Sequence, residues 1–193
     1  AKDPDVSPYA YCSDNPIKYT DPDGKRKVNY VLPADDLTGI LKSYFENFKD
    51  DPGVLNLFFH TVQLRQGDEI IGYGCKFNNN IYDLNDNKDN KALAVRVQSE
   101  INKVKNFKGI AVLHSCEGSY AAQVISKLIK NVIVIAPNMK LNVNKTKSLV
   151  GEKNSYGKFQ IGKWIAFKNG NPFMSYQYLI TDPGSKLFNY HFK

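Results

Sequence analysis

The chain predicts an α/β fold: a mostly parallel central sheet of about five or six strands, flanked by helices on both faces, with a C-terminal antiparallel hairpin. Three observations point there. Apolar runs without alternation, Val54–Phe59, Ile110–Leu113 and Val132–Ala136, read as strands buried on both faces, the habit of parallel sheets. Stripes at helical spacing lie among them. The last third is cut by Gly151, Gly157, Gly162, Gly170 and Gly184 into short pieces rich in β-formers.

Taken in order, Lys27–Leu32 is a short strand candidate. Asp35 and Asp36 then precede Leu37, Ile40, Leu41, Tyr44, Phe45 and Phe48, one apolar helix face with acids at its electropositive start. Pro52-Gly53 stops that helix. The run VLNLFF follows and ends in His60. Gln63–Gly74, with glycines at 67, 72 and 74, reads as a loop or hairpin, Ile81-Tyr82 as a short strand, and Asp83–Asn90 as a polar loop. A helix is predicted over Lys91–Asn106, burying Leu93, Val97, Ile101 and Val104. Next comes GIAVLHSCEGSYAAQVISKLIKNVIVIAP at 109–137: strand, tight turn, helix, strand. Lys158–Ile161, Trp164–Phe167 and Phe173–Ile180 are read as two or three antiparallel strands at the sheet edge.

Composition narrows the function. Hydrophobic residues at 42% of 193 exclude a disordered chain, and no apolar run is long enough to span a bilayer. The first residues do not read as a signal peptide. Three cysteines, Cys12, Cys75 and Cys116, show no CxxC and no zinc-ligand spacing, so free thiols are expected, a Cys12–Cys75 bridge being the alternative. No metal or other cofactor is expected. The net charge of +7 is concentrated between residues 138 and 168, where Lys140, Lys145, Lys147, Lys153, Lys158, Lys163 and Lys168 face only Glu152. Such a stretch is either a solvated face or a surface for an acidic protein or a nucleic acid.

Residues 1–24 differ from all that follows: prolines and aspartates are frequent, aliphatics scarce, and Asp21-Pro-Asp-Gly24 makes a tight turn and a natural boundary. The run SPYAYCSDNPIKYTDPDGK resembles the end of the repeat-associated core of Rhs proteins, with Ser7, Pro8, Tyr9, Tyr11, Cys12, Asn15, Pro16, Tyr19, Asp21, Pro22 and Gly24 on that pattern. The resemblance implies two parts: the tail of the Rhs core over 1–24 and a C-terminal toxin domain over 25–193. It further implies an effector of type VI secretion, delivered into a competitor cell, of a kind found in Bacteroidota. Its partners would be the Rhs shell of the same polypeptide and a cognate immunity protein, expected to be acidic.

Within the toxin part, the predicted strands end in His60 and Cys116. Neighbouring parallel strands would set these ends roughly 5 Å apart. A thiol between a strand end and a helix N-terminus is favoured as thiolate, and an imidazole beside it can take and return the proton. Amides of the turn Cys116–Gly118 are positioned to hold an oxyanion, and Gly118 is expected to keep that turn open. The order strand–His, helix, strand–Ser–Cys–x–Gly, helix, strand is similar to caspase-like peptidases, and more narrowly to CHAT-type and toxin self-processing domains. On Leu113, Ser115, Cys116 and Gly118 that likeness implies Cys116 as nucleophile, His60 as base and a three-layer fold. Two positions depart from it: Thr61 follows His60 where those families carry glycine, and Glu117 stands where they carry threonine.

His114 is the rival base, two residues from Cys116 and on the same strand face. Ser115 and Ser119 are alternative nucleophiles without the flanking glycines of a serine elbow. Asp83 and Asp68 are candidates to orient the imidazole, while His191 near the end is incidental. The expected activity is therefore a Cys–His hydrolase or transferase acting on a protein. The alternative is a nuclease using the basic C-terminal third, although neither an HNH-type pattern nor a D/E-x-K pair in a hairpin is present.

Overall fold

In the computed structural model, which describes residues 29–31, 42–43, 45, 53–77, 80–143 and 148–177, strands outnumber helices. In chain order they are β1 (Asn29–Val31), β2 (Val54–Phe58), β3 (His60–Gln66), β4 (Glu69–Phe77) and β5 (Asn80–Asp83), then helix α1 (Asn87–Ile101). Next come β6 (Ile110–His114), helix α2 (Ser119–Leu128), β7 (Ile133–Pro137), β8 (Leu141–Val143), β9 (Ser148–Lys153), β10 (Phe159–Ile161), β11 (Trp164–Lys168) and β12 (Asn171–Tyr176). Lys42, Ser43 and Phe45 are helical, on the stripe predicted over 37–48, most of which lies outside the described residues. The Rhs-like motif at 1–24, with Cys12, and His191 lie outside them too.

The central sheet has the order β1-β2-β6-β7-β11-β12. Pairs β1/β2, β2/β6 and β6/β7 are parallel, whereas β7/β11 and β11/β12 are antiparallel. Every residue of β2 and of β6 is buried, as the unbroken apolar runs require of strands covered on both faces. On one face, Leu55, Leu57, Ala111 and Leu113 pack under Leu93 and Val97 of α1 and Ala122 and Ile125 of α2. Cys75 and Phe77 of β4 close the same core from the antiparallel sheet β3-β4-β5. On the other face, Val54, Val112, Ile135 and Trp164 meet Leu141 and Val150 of the antiparallel sheet β8-β9-β10.

The predicted fold class is thereby corrected. The described residues are mostly β, in three sheets of which two are wholly antiparallel, and they do not form a helix-flanked, caspase-like three-layer fold. Among the described residues α1 and α2 are the complete helices, and both lie on one face of the central sheet. The physical cause sits in the connections. The passage from β2 to β6 holds a three-stranded sheet as well as a helix, because HTVQLRQ and EIIGYGCKF alternate enough apolar residues to form a hairpin about the turn at Gly67 and Asp68. The segment from Leu141 to Lys153, too polar to stand out as strand, pairs into β8 and β9 and covers the second core.

Helix α1 starts four residues before the predicted Lys91 because Asp86 caps it, its Oδ1 accepting from the amides of Lys88 (2.8 Å) and Asp89 (2.9 Å). It ends at Ile101 rather than 106. No helix among the described residues is long and apolar enough to cross a membrane.

Candidate functional site

The carboxyl ends of β2 and β6 lie side by side. Their register pairs Val54 with Ile110 and, at the last rung, Phe58 with His114, at one constant offset. His60 and Cys116 lie two residues beyond that rung, His60 opening β3 and Cys116 in the turn before α2. The chains are still adjacent one residue past the last rung, where the Phe59 amide donates to the His114 carbonyl at 3.4 Å. Phe58 and His114 share a face of the sheet, their rings stacked with centroids 4.2 Å apart and planes 5° from parallel. Alternation then puts His60 and Cys116 on that face, and Phe59, Ser115 and Thr61 on the other. Contacts on the far side agree with this parity: Phe59 is in the core beneath the helices, and the hydroxyls of Thr61 and Ser115 hydrogen-bond to each other.

Each predicted residue can now be placed. Cys116 is a half-buried free thiol that packs at the rim of the core formed by Ile135 and Trp164. His60 is exposed at the first position of β3, opposite Lys76 of β4. Ser115 is buried, and its Oγ also donates to the Cys116 carbonyl at 3.2 Å. Thr61, the departure from the His-Gly pattern, is therefore tied by its hydroxyl to the turn that carries the thiol.

The turn between β6 and α2 differs from expectation in two ways. Its left-handed residue is Glu117, at φ 52°, whereas Gly118 has φ −60° and begins the helix. Space at 118 is tight: a Cβ there would lie 3.3 Å from the Ala136 Cβ and from the Ser115 carbonyl, and 3.4 Å from Pro137. The Glu117 amide donates to the Met139 carbonyl at 3.0 Å, which removes it from a role in an oxyanion site. Burial, and the Glu152 carboxylate after it, hold the Glu117 carboxyl above the usual carboxylate range.

His114 lies beneath the rim, fully buried, its Nε2 2.9 Å from Asn56 Oδ1 and its ring edge-on to Trp164 at 5.7 Å. Burial lowers its pKa from 6.5 to about 3, so it is neutral at physiological pH. With Asn56 Oδ1 as acceptor, Nε2 carries the hydrogen. The Asn56 Nδ2 makes no hydrogen bond in the structure although the side chain is fully buried.

The predicted acids are placed elsewhere. Asp83 ends β5, and its Oδ1 accepts from the Asn85 amide at 2.8 Å, holding the turn into α1. Asp68 lies in the β3–β4 turn, roughly 25 Å along the strand from His60, where its carbonyl accepts from Arg65. Ser119 is the first residue of α2. Among the described residues no group of three His, Cys, Asp or Glu side chains is placed to hold a metal ion.

Sequence reasoning missed Asn56, Thr61, Tyr73 and Tyr120. Tyr73 of β4 stacks on Tyr120 of α2 with centroids 4.0 Å apart, joining the hairpin sheet to the helix that follows Cys116. Burial first, and the bond to Tyr120 second, raise the Tyr73 pKa to about 12. The available signal for Asn56 was an amide inside VLNLFF, a polar side chain where the pattern demands an apolar one. Comparison with known proteins returns no matching family model, no similar curated protein and no similar solved structure.

Proposed function

We propose that residues from about 25 onward form the toxin domain of an Rhs effector, delivered by type VI secretion into a competing bacterium. There it acts on a protein as a Cys116–His60 hydrolase or transferase. The delivery half of this reading rests on the Rhs-like motif at residues 1–24. The chemical half is supported by one observation: β2 and β6 are parallel neighbours, and their carboxyl ends lead into His60 and Cys116.

In this reading the His60 imidazole takes the Cys116 proton, and the thiolate attacks a substrate carbonyl. The C–N bond breaks as the imidazolium returns its proton to the leaving amine, leaving a thioester. Water, or an acceptor amine in a transferase, then displaces the thiol with His60 as base. Glu117 having its amide bonded to Met139, the oxyanion falls to the amides of Cys116 and Gly118 at the start of α2. His114 is a poor base at the site, since burial lowers its pKa to about 3, so that it takes up a proton unwillingly, and Asn56 holds one of its nitrogens. It forms the floor. The immunity protein and the Rhs shell are the partners this reading implies.

The test is killing of a susceptible strain by the wild type and by Cys116→Ala and His60→Ala, with folding checked by circular dichroism. Loss of killing in both folded variants is the expected result. Full toxicity in either removes the dyad.

A further inference from the structure

The face of β8-β9-β10 turned away from the core carries a second feature, independent of the thiol. In this sheet Leu141 pairs with Val150, and both point into the core. Across β9 and β10, Lys153 lies opposite Phe159, Glu152 opposite Gln160 and Gly151 opposite Ile161. Alternation from Val150 therefore puts Leu149, Gly151, Lys153, Phe159 and Ile161 on the outer face, and Glu152 on the inner. That outer face holds no acid.

Its apolar members are open to solvent: Phe159 is 45% exposed and Ile161 56%. The Phe159 ring packs against Gly151, where a Cβ would meet the Gln160 carbonyl oxygen and come within 2.8 Å and 2.9 Å of two ring carbons, so the glycine makes room for the ring beside the strand. Tyr156, 86% exposed, stands in the turn joining β9 to β10. Exposed Lys158 adjoins Phe159 in the chain, and exposed Lys140 and Lys163 flank the ends of β8 and β10. Exposed aromatic rings with lysines around them, on a face whose described residues include no acid, match the two demands of a nucleic-acid strand, a π-face for each base and a cation for each phosphate.

We propose that this face binds single-stranded nucleic acid, its bases on Phe159 and Tyr156 and its phosphates on Lys140, Lys153, Lys158 and Lys163. Binding here needs neither Cys116 nor His60. An acidic protein would satisfy the lysines alone and would leave the aromatic rings without a specific role.

The experiment is fluorescence anisotropy of the 193-residue chain with fluorescein-labelled 12-mers of thymidine and of uridine, an abasic 12-mer and poly-glutamate as controls. Both base-bearing strands are expected to bind, and the controls about tenfold more weakly. Phe159→Ala and Tyr156→Ala, both at exposed positions, are expected to weaken binding by about tenfold each. Raising the salt should lower log affinity against log salt with a slope of about −2 to −3, which Lys153→Glu makes shallower. Cys116→Ala should bind as the wild type does, so that failure of the hydrolase leaves this result untouched. Absence of an anisotropy change at low salt overturns the proposal. Equal binding of the abasic strand or of poly-glutamate, or unchanged affinity in both aromatic variants, also overturns it, and points instead to an acidic protein as occupant.

Discussion

Phe58 lies flat on His114, 4.2 Å between ring centres, and the stack closes the last rung shared by β2 and β6. The stack rests edge-on against Trp164 and Phe45, and none of the four side chains is open to solvent. An imidazole in such a place responds to pH as a structural element.

Folded, His114 titrates at about 3, and the unfolded chain holds its proton from about 6.5 downward. Its pKa is depressed, so the unfolded state binds more protons between those values and stability falls as the pH is lowered through them. The expected loss is about 1.4 kcal/mol for each pH unit within that window. Thermal melts of wild type and His114→Gln between pH 7 and pH 4 check this: the wild type should lose stability more steeply.

Asn56 and His114 are partners inside the sheet, joined at 2.9 Å. Asn56→Leu leaves a buried imidazole N–H without its acceptor and is expected to cost about 1–3 kcal/mol. The double variant Asn56→Leu with His114→Phe should recover a large part of that loss. Urea titration of the two singles and the double gives the coupling.

Thr61→Val removes the hydroxyl that meets Ser115 while keeping the side-chain shape. A stability change of about 1 kcal/mol is expected. Killing and thiol labelling by iodoacetamide should change more than that figure suggests, because this bond ties the strand bearing His60 to the turn bearing Cys116. Equal activity in the variant would show that the bond serves stability alone.

Two adjacent substitutions in the turn should act in opposite senses. Glu117→Gly relieves a left-handed residue and is expected to stabilise by about 1 kcal/mol. Gly118→Ala places a methyl at 3.3 Å from Ala136 and is expected to destabilise by about 1–3 kcal/mol. Melting temperatures of the pair decide.

The central strands were legible because burial on both faces leaves an unmistakable mark: VLNLFF and IAVL become β2 and β6, paired in parallel as neighbours. Edge and half-exposed strands leave a weaker one. HTVQLRQ and SLVGEK carry glutamine, arginine or lysine on their open sides, so β3 and β9 emerge only once their partners are in place. That weakness left β8 and β9 unread and residues 63–74 undecided between loop and hairpin, and it produced the wrong fold class. At the site, Cys116 and His60 could be named from strand ends. Thr61 could not, because a hydroxyl's use depends on what stands opposite. Gly118 was read for its freedom of rotation, whereas its φ is −60° and its neighbours Ala136 and Pro137 leave little room for a side chain. Glu117 at φ 52° left no trace in the residue order, since the left-handed region is not where glutamate is expected.

Only Phe59 separates β2 from β3, so a single length of backbone leaves the central sheet and enters the hairpin without a loop between them. The protein therefore has no seam there for dividing it into complementing halves. A chain opened at Gly67–Asp68 would keep that junction whole in its N-terminal fragment and reassemble by re-forming the hairpin. One opened at Phe59 would assign the imidazole and the strand that aligns it to different polypeptides.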